Sequence, residues 1–154
     1  MEKKANNEDK IMWKVMIVDD EKLICKLVQA LVEWDKLGMQ MAAQAENAIQ
    51  ALDMLQQYRP DILITDIRMP GMDGLELIKN AKKICPELEI IIISGYAHFE
   101  YARNALSLGV GNYLLKPIKQ DELNETLRKI GERLDAKKSA QGMEMAERRV
   151  SESD

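Results

Sequence analysis

Short, β-branched apolar runs alternate along this chain with longer segments in which apolar residues recur every three or four positions. The first pattern suits strands and the second amphipathic helices. From residue 13 to about residue 134 the alternation repeats five times, and five successive βα units predict a parallel sheet with helices on both faces. The strands are expected at residues 14–18, 39–43, 61–65, 89–94 and 112–115, and the helices at 21–33, 47–58, 74–84, 99–108 and 120 to about 136. The runs ILIT and IIII are apolar at consecutive positions, as central strands covered on both faces must be, whereas MQMAA is weaker and suits an edge. In the second helix Ala48, Ala51, Leu52 and Leu55 form the buried stripe, and Pro60 stops it. Gly109 and Gly111 bracket Val110 just before the fifth strand, where glycine fits a left-handed helix stop.

At 154 residues the chain has room for one ordinary domain. The pattern assigns that domain to residues 13–136, preceded by a polar leader at 1–12 expected to be disordered. From 137 to 154 the apolar stripe is lost, which predicts a frayed helix end, a linker or a tail. No apolar run is long enough to span a bilayer, and the polar N-terminus lacks a secretory core, so a cytoplasmic protein without a membrane segment is expected. Net charge is −4 with basic residues scattered among acids, which argues against direct nucleic-acid contact. Cys25 and Cys85 have no metal-ligand or redox spacing and are expected as reduced, partly buried thiols.

The chemistry lies at the strand ends, because open α/β sheets gather functional groups at their carboxyl edge. Strand one ends VMIVDDE with Asp19 and Asp20, strand three LITD with Asp66, strand four IIISG with Ser94, and strand five YLLKP with Lys116. With the strands ordered 2-1-3-4-5, these groups share one pocket. Three carboxylates and one ammonium sum to −3 + 1 = −2, a charge that either raises a carboxyl pKa or recruits a divalent cation. Mg²⁺ suits such a shallow, all-oxygen site and often accompanies phosphate. Asp66, at the centre, is then the expected nucleophile for an aspartyl phosphate, with Lys116 neutralising the phosphoryl oxygens.

Together VDDE, ITDIRMPGMDG, IIISGY and YLLKP resemble the receiver domains of bacterial two-component response regulators, over about residues 13 to 134. The resemblance implies a flavodoxin-like (βα)5 fold, a doubly wound parallel five-stranded sheet. It implies that Asp19, Asp20, Asp66 and the backbone carbonyl of Arg68 hold Mg²⁺, and that Asp66 accepts a phosphoryl group from a sensor histidine kinase. Lys116 would pair with the phosphoryl, the Lys116–Pro117 bond would be cis, Ser94 would swing to a phosphoryl oxygen, and Tyr113 would turn inward. Ser94 and Tyr113 thus form the expected switch. Arg68 and Tyr96 would overhang the pocket and tune phosphoryl lifetime. Such a domain is a signalling switch rather than an enzyme in the usual sense, catalysing its own Mg²⁺-dependent phosphorylation and dephosphorylation.

The stretch SGYAHFEYARNALSLGVGNYLLKPI further resembles receivers joined to AraC-type helix-turn-helix domains. A transcriptional output reached through a C-terminal domain absent from these residues is therefore expected. A homodimer is a possible partner state, but many dimerising regulators carry two aspartates before the strand-five aromatic, where Gly111 and Asn112 stand here.

Taken singly, each motif has an ordinary structural meaning. Asp19-Asp20 suits a helix N-cap, Asp66 and Ser94 suit turns, Lys116 a solvated charge, and Tyr113 a core residue. His98, the lone histidine, reads as a loop residue, and Met12, Met69 and Met72 as packing. Only the shared edge favours chemistry. A haloacid-dehalogenase-type phosphohydrolase would place a second Asp two residues after its strand-one nucleophile, but Glu21 and Lys22 stand at those positions. Neither glycine-rich nucleotide-binding motif follows strand one. A pseudo-receiver acting as a plain interaction module would lack part of the acceptor set, which is complete here.

Overall fold

The computed structural model describes residues 12–95, 104, 107 and 109–152, with side chains described to residue 143. The described elements are β1 (Trp13–Val18), α1 (Lys22–Leu31), α2 (Trp34–Leu37), β2 (Met39–Ala45), α3 (Ala48–Tyr58), β3 (Ile62–Asp66), α4 (Gly74–Ile84), β4 (Glu89–Ser94), β5 (Asn112–Leu115) and α5 (Gln120–Glu152). The strands pair in parallel in the order β2-β1-β3-β4-β5, as expected. Tyr96, His98 and most of the helix expected at 99–108 lie outside the described residues, as does the leader before Met12.

Successive residues of the central strands serve opposite faces, which is why their sequences are apolar throughout. Met16, Val18, Leu63, Ile90 and Ile92 pack with Ala51 and Leu55 of α3 and Leu77, Ile78 and Ala81 of α4. On the other face Val15, Ile17, Ile64, Ile91 and Ile93 pack with Cys25 and Val28 of α1 and Leu123, Leu127, Ile130 and Leu134 of α5. The sheet is thereby clamped between two helical layers, leaving its carboxyl edge as the place where loops can carry chemistry. Gly109 adopts a left-handed φ of 87° before β5, as its position suggested.

Two helices depart from the sequence reading. The one expected over 21–33 ends at Leu31, Val32 turns extended, and the separate turn of α2 follows. Val32 is buried and Trp34 donates its indole N–H to the Gln29 carbonyl at 2.9 Å, so tertiary packing folds the chain back where periodicity alone allowed one helix. At the other end α5 continues to Glu152 rather than stopping near Ala136. Residues 135–143 are exposed, and Ala, Lys, Gln, Met and Glu sustain the helix by intrinsic preference rather than by burial. Among the described residues no helix is long and apolar enough to cross a membrane.

Candidate functional site

Parallel strands bring Asp19, Asp66, Ser94 and Lys116 to one edge because each stands at or just beyond its strand's carboxyl end. The register aligns Val18 with Thr65, Asp66 with Ile93, and Ser94 with Leu115. The Lys116 backbone N–H then donates to the Ser94 carbonyl at 2.8 Å, extending the β4–β5 ladder to that residue. The Lys116–Pro117 peptide is cis.

The carboxylates meet. Oxygen atoms of Asp19, Asp20 and Asp66 all lie within 4.8 Å of one another. Asp19 and Asp66 are buried while Asp20 is exposed at the rim. Lys116 closes the cluster: its Nζ donates to Asp66 Oδ2 at 3.2 Å and lies 3.8 Å from Asp19 Oδ2. Asp66 Oδ1 accepts from the backbone N–H groups of Ile67 at 2.6 Å and Arg68 at 3.3 Å. Asp19 Oδ1 accepts from the Glu21 N–H at 2.9 Å.

Burial pushes the Asp19 carboxyl up to about 6; the Glu21 amide and Lys116 pull against this, and the neighbouring Asp66 and Asp20 charges add to it. For Lys116 burial opposes the charged form, but Asp19 and Asp66 outweigh it and hold the ammonium above the ordinary lysine pKa. Three carboxylates and one ammonium leave −3 + 1 = −2 in a mostly desolvated pocket. The donor set is all oxygen, as hard divalent cations require. Opposite oxygens around an octahedral Mg²⁺ stand about 4.2 Å apart, so atoms already within 4.8 Å fit such an ion with small adjustments.

Ser94 is fully buried; its hydroxyl donates to the Gly95 carbonyl at 3.1 Å and accepts from the Tyr113 hydroxyl at 3.0 Å. Tyr113 is half-buried against the α3–α4 face of the core. A separate groove of about 490 Å³, lined by Trp13, Pro60, Cys85, Leu88 and Leu134 among others, lies at the opposite edge of the sheet, where the strands begin.

Residue letters did not disclose two features. The amides of Ile67 and Arg68 orient Asp66, and an amide carries no signature of its own. Cys25 packs beneath Asp19, its thiol 3.8 Å from the Asp19 carbonyl, and burial pushes that thiol up to about 11. The sequence reading expected Cys25 as a reduced, partly buried thiol, but nothing in its spacing linked it to the acidic pocket.

Known proteins share this arrangement of sheet and chain. Residues 15–128 match the family described as the response regulator receiver domain. The transcriptional regulatory protein YesN of Bacillus subtilis is 40% identical over 119 residues, covering 77% of this chain and 32% of that protein. The transcriptional regulatory protein HptR of Staphylococcus aureus is 32% identical over 135 residues, 88% of this chain and 53% of HptR. The chain therefore spans about a third to a half of the length of these regulators. Among solved structures, the REC domain of AraT, a response regulator from Geobacillus stearothermophilus, is 38% identical with a TM-score of 0.80, covering 83% of this chain and 99% of that one. A two-component transcriptional regulator AraC from Clostridium phytofermentans is 35% identical with a TM-score of 0.72, over 77% of this chain and 92% of that one. With its five parallel strands in the same order and its match over residues 15–128, the chain belongs to the response-regulator receiver-domain family.

Proposed function

We propose that Asp66 accepts a phosphoryl group from a phosphohistidine of a sensor kinase, and that Ser94 and Tyr113 relay the change to a transcriptional output. One observation carries the reading: Asp66 holds one oxygen on two backbone amides and turns the other to Lys116 at 3.2 Å, inside a cluster of acidic oxygens. The amides fix the carboxylate's direction, so little reorganisation is needed for in-line attack. In the transfer, an Asp66 oxygen forms the new P–O bond as the P–N bond of the donor breaks, and the electron pair leaves with the imidazole. Lys116 then sits where it can neutralise an equatorial phosphoryl oxygen.

Asp19, Asp20 and Asp66, with the Arg68 carbonyl, would hold Mg²⁺, which when bound offsets the pocket's negative charge and that of the transferring group. The acylphosphate formed is labile, so the same residues serve its hydrolysis and the domain limits its own signal. Phosphorylation adds strong acceptor oxygens beside Ser94. A Ser94 hydroxyl donating to one of them gives up its bond to Gly95, and its Tyr113 partner follows, coupling the pocket to β5 and the start of α5. Residues 13–136 act as the switch in this reading, and 137–154 would lead towards the DNA-binding output domain that the family resemblance implies.

Incubation with Mg²⁺ and a small acyl phosphate, followed by intact mass measurement, tests the proposal. One labile phosphoryl group should appear on the wild type and none on Asp66→Asn. Steady turnover of phosphate esters, or a label that survives in Asp66→Asn, would overturn it.

A further inference from the structure

The N-terminus of α4 approaches the tip of β3 more closely than any side chain permits. A Cβ on Gly74 would lie 2.5 Å from the Asp66 carbonyl oxygen, 2.7 Å from Ile67 Cα and 3.0 Å from the Ile67 carbonyl oxygen. All three are backbone atoms and cannot swing aside. The Gly74 N–H donates to that Ile67 carbonyl at 2.7 Å, while the N–H at the other end of residue 67 donates to Asp66 Oδ1 at 2.6 Å. Gly74, residue 67 and the Asp66 carboxylate therefore form a continuous chain of contacts. The helix that supplies Gly74 is anchored independently, by the Asp73 side chain accepting from the Glu76 N–H at 2.9 Å and by Leu77 and Ile78 in the core.

We infer that Gly74 is a positioning residue for the acceptor site: by letting α4 abut the β3 tip, it locks residue 67 and so the direction of the Asp66 carboxylate and of the Arg68 backbone. Any side chain there must lift the helix from the strand. The Ile67 carbonyl then loses its donor, its peptide is free to rotate, and the amides holding Oδ1 move with it. Gly71 provides a contrast in the same loop: its φ of 89° restricts it conformationally, but a Cβ there meets nothing within 4 Å. The role of Gly74 is thus one of contact rather than of dihedral freedom. Its consequence for cation binding rests on the acceptor-site reading above, whereas its consequence for the Asp66 amides does not.

The test is made on the full chain by NMR, first without metal. Gly74→Ala should speed amide exchange at Ile67 and Arg68 by about tenfold or more, the scale of one lost hydrogen bond. Asp73→Ala, which loosens the same helix end without intruding on β3, should leave those two amides as in the wild type. Unchanged exchange in Gly74→Ala, or an equal effect in Asp73→Ala, would overturn the inference whatever the site binds. With Mg²⁺ titrated alone, Gly74→Ala should bind at least about tenfold more weakly, as expected when the support of a metal ligand is disturbed. A wild type that binds no Mg²⁺ would count against the acceptor-site reading, and Gly74 would still be judged by the exchange data. If Gly74→Ala does not fold, the coupling is read in reverse, since it is reciprocal. Asp66→Ala should then speed exchange of the Gly74 amide, and protection equal to wild type would overturn the inference.

Discussion

Replacing Asp19 by Asn should stabilise the metal-free protein, even though it removes a charged partner of Lys116. Asp19 is 2% exposed, and its carboxyl pKa rises from 3.8 to about 6, chiefly because burial disfavours the charge, with the Glu21 amide and Lys116 already counted on the opposing side. The folded state thus binds this proton more tightly than the unfolded chain, and stability falls as pH rises between those two values. Below about 4 the group is neutral in both states and imposes no penalty. Above about 6 it is charged in both, and the full penalty remains. At about 1.4 kcal/mol per pH unit, a rise from 3.8 to about 6 corresponds to at most about 3 kcal/mol. Urea denaturation in EDTA at intervals from pH 4 to pH 8 should show Asp19→Asn drawing level with the wild type near pH 4. It should exceed the wild type by about 1–3 kcal/mol above pH 6. Excess Mg²⁺ should close the gap, because a ligand at a hundred times its Kd stabilises by about 2.7 kcal/mol and the wild type has the fuller ligand set. An Asp19→Asn variant less stable than the wild type in EDTA at pH 7 would refute the reasoning, showing that the Lys116 and Glu21 contacts outweigh the burial of charge.

Three further outcomes follow from the same geometry. Lys116→Met should slow phosphoryl uptake from a small acyl phosphate while strengthening Mg²⁺ binding severalfold, because the pocket's charge becomes −3 when its ammonium is lost; calorimetric titration beside intact mass measurement reads both effects. Cys25 is fully buried with its thiol pushed up to about 11, whereas Cys85 is half-buried, so a thiol reagent applied to the native protein at pH 8 should label Cys85 and reach Cys25 only in denaturant; peptide mass mapping checks this. Ending the chain after Lys138 should change unfolding stability by no more than about 0.5 kcal/mol, since residues 139–143 are exposed, whereas Leu127→Ala should lower it by about 2–5 kcal/mol, both read by urea titration.

The parts of this molecule legible in its sequence are those governed by repeating patterns. Apolar runs at 62–64 and 90–93 announced strands covered on both faces, and the structure places both inside the sheet rather than at its edges. The boundary of α1 was less legible, because Val32 and Trp34 suit a helix face as well as the buried turn that they form. The far end of α5 was misjudged for a related reason. Loss of an apolar stripe signals loss of packing, but a run of good helix formers can persist without it.

The site divides along the same line. Asp19, Asp20, Asp66, Ser94 and Lys116 were legible because side-chain chemistry is written in letters and strand ends told where each would emerge, whereas Tyr113, inside β5, was singled out only by the family resemblance. What orients them is mostly backbone: two amides on Asp66, one on Asp19, and a glycine defined by the absence of an atom. Such groups depend on how close two elements come, which no residue-by-residue reading measures. The division has an energetic counterpart. Burying Asp19 beside Asp66 stores unfavourable charge in the pocket, and the backbone donors hold those carboxylates in place despite it. A fold that keeps its acceptor pre-aimed beside a carboxylate whose charge burial disfavours is one whose stability a cation or a phosphoryl group can shift appreciably. That sensitivity is what a switch requires: the letters supply the charge, and contacts they do not record hold it in place.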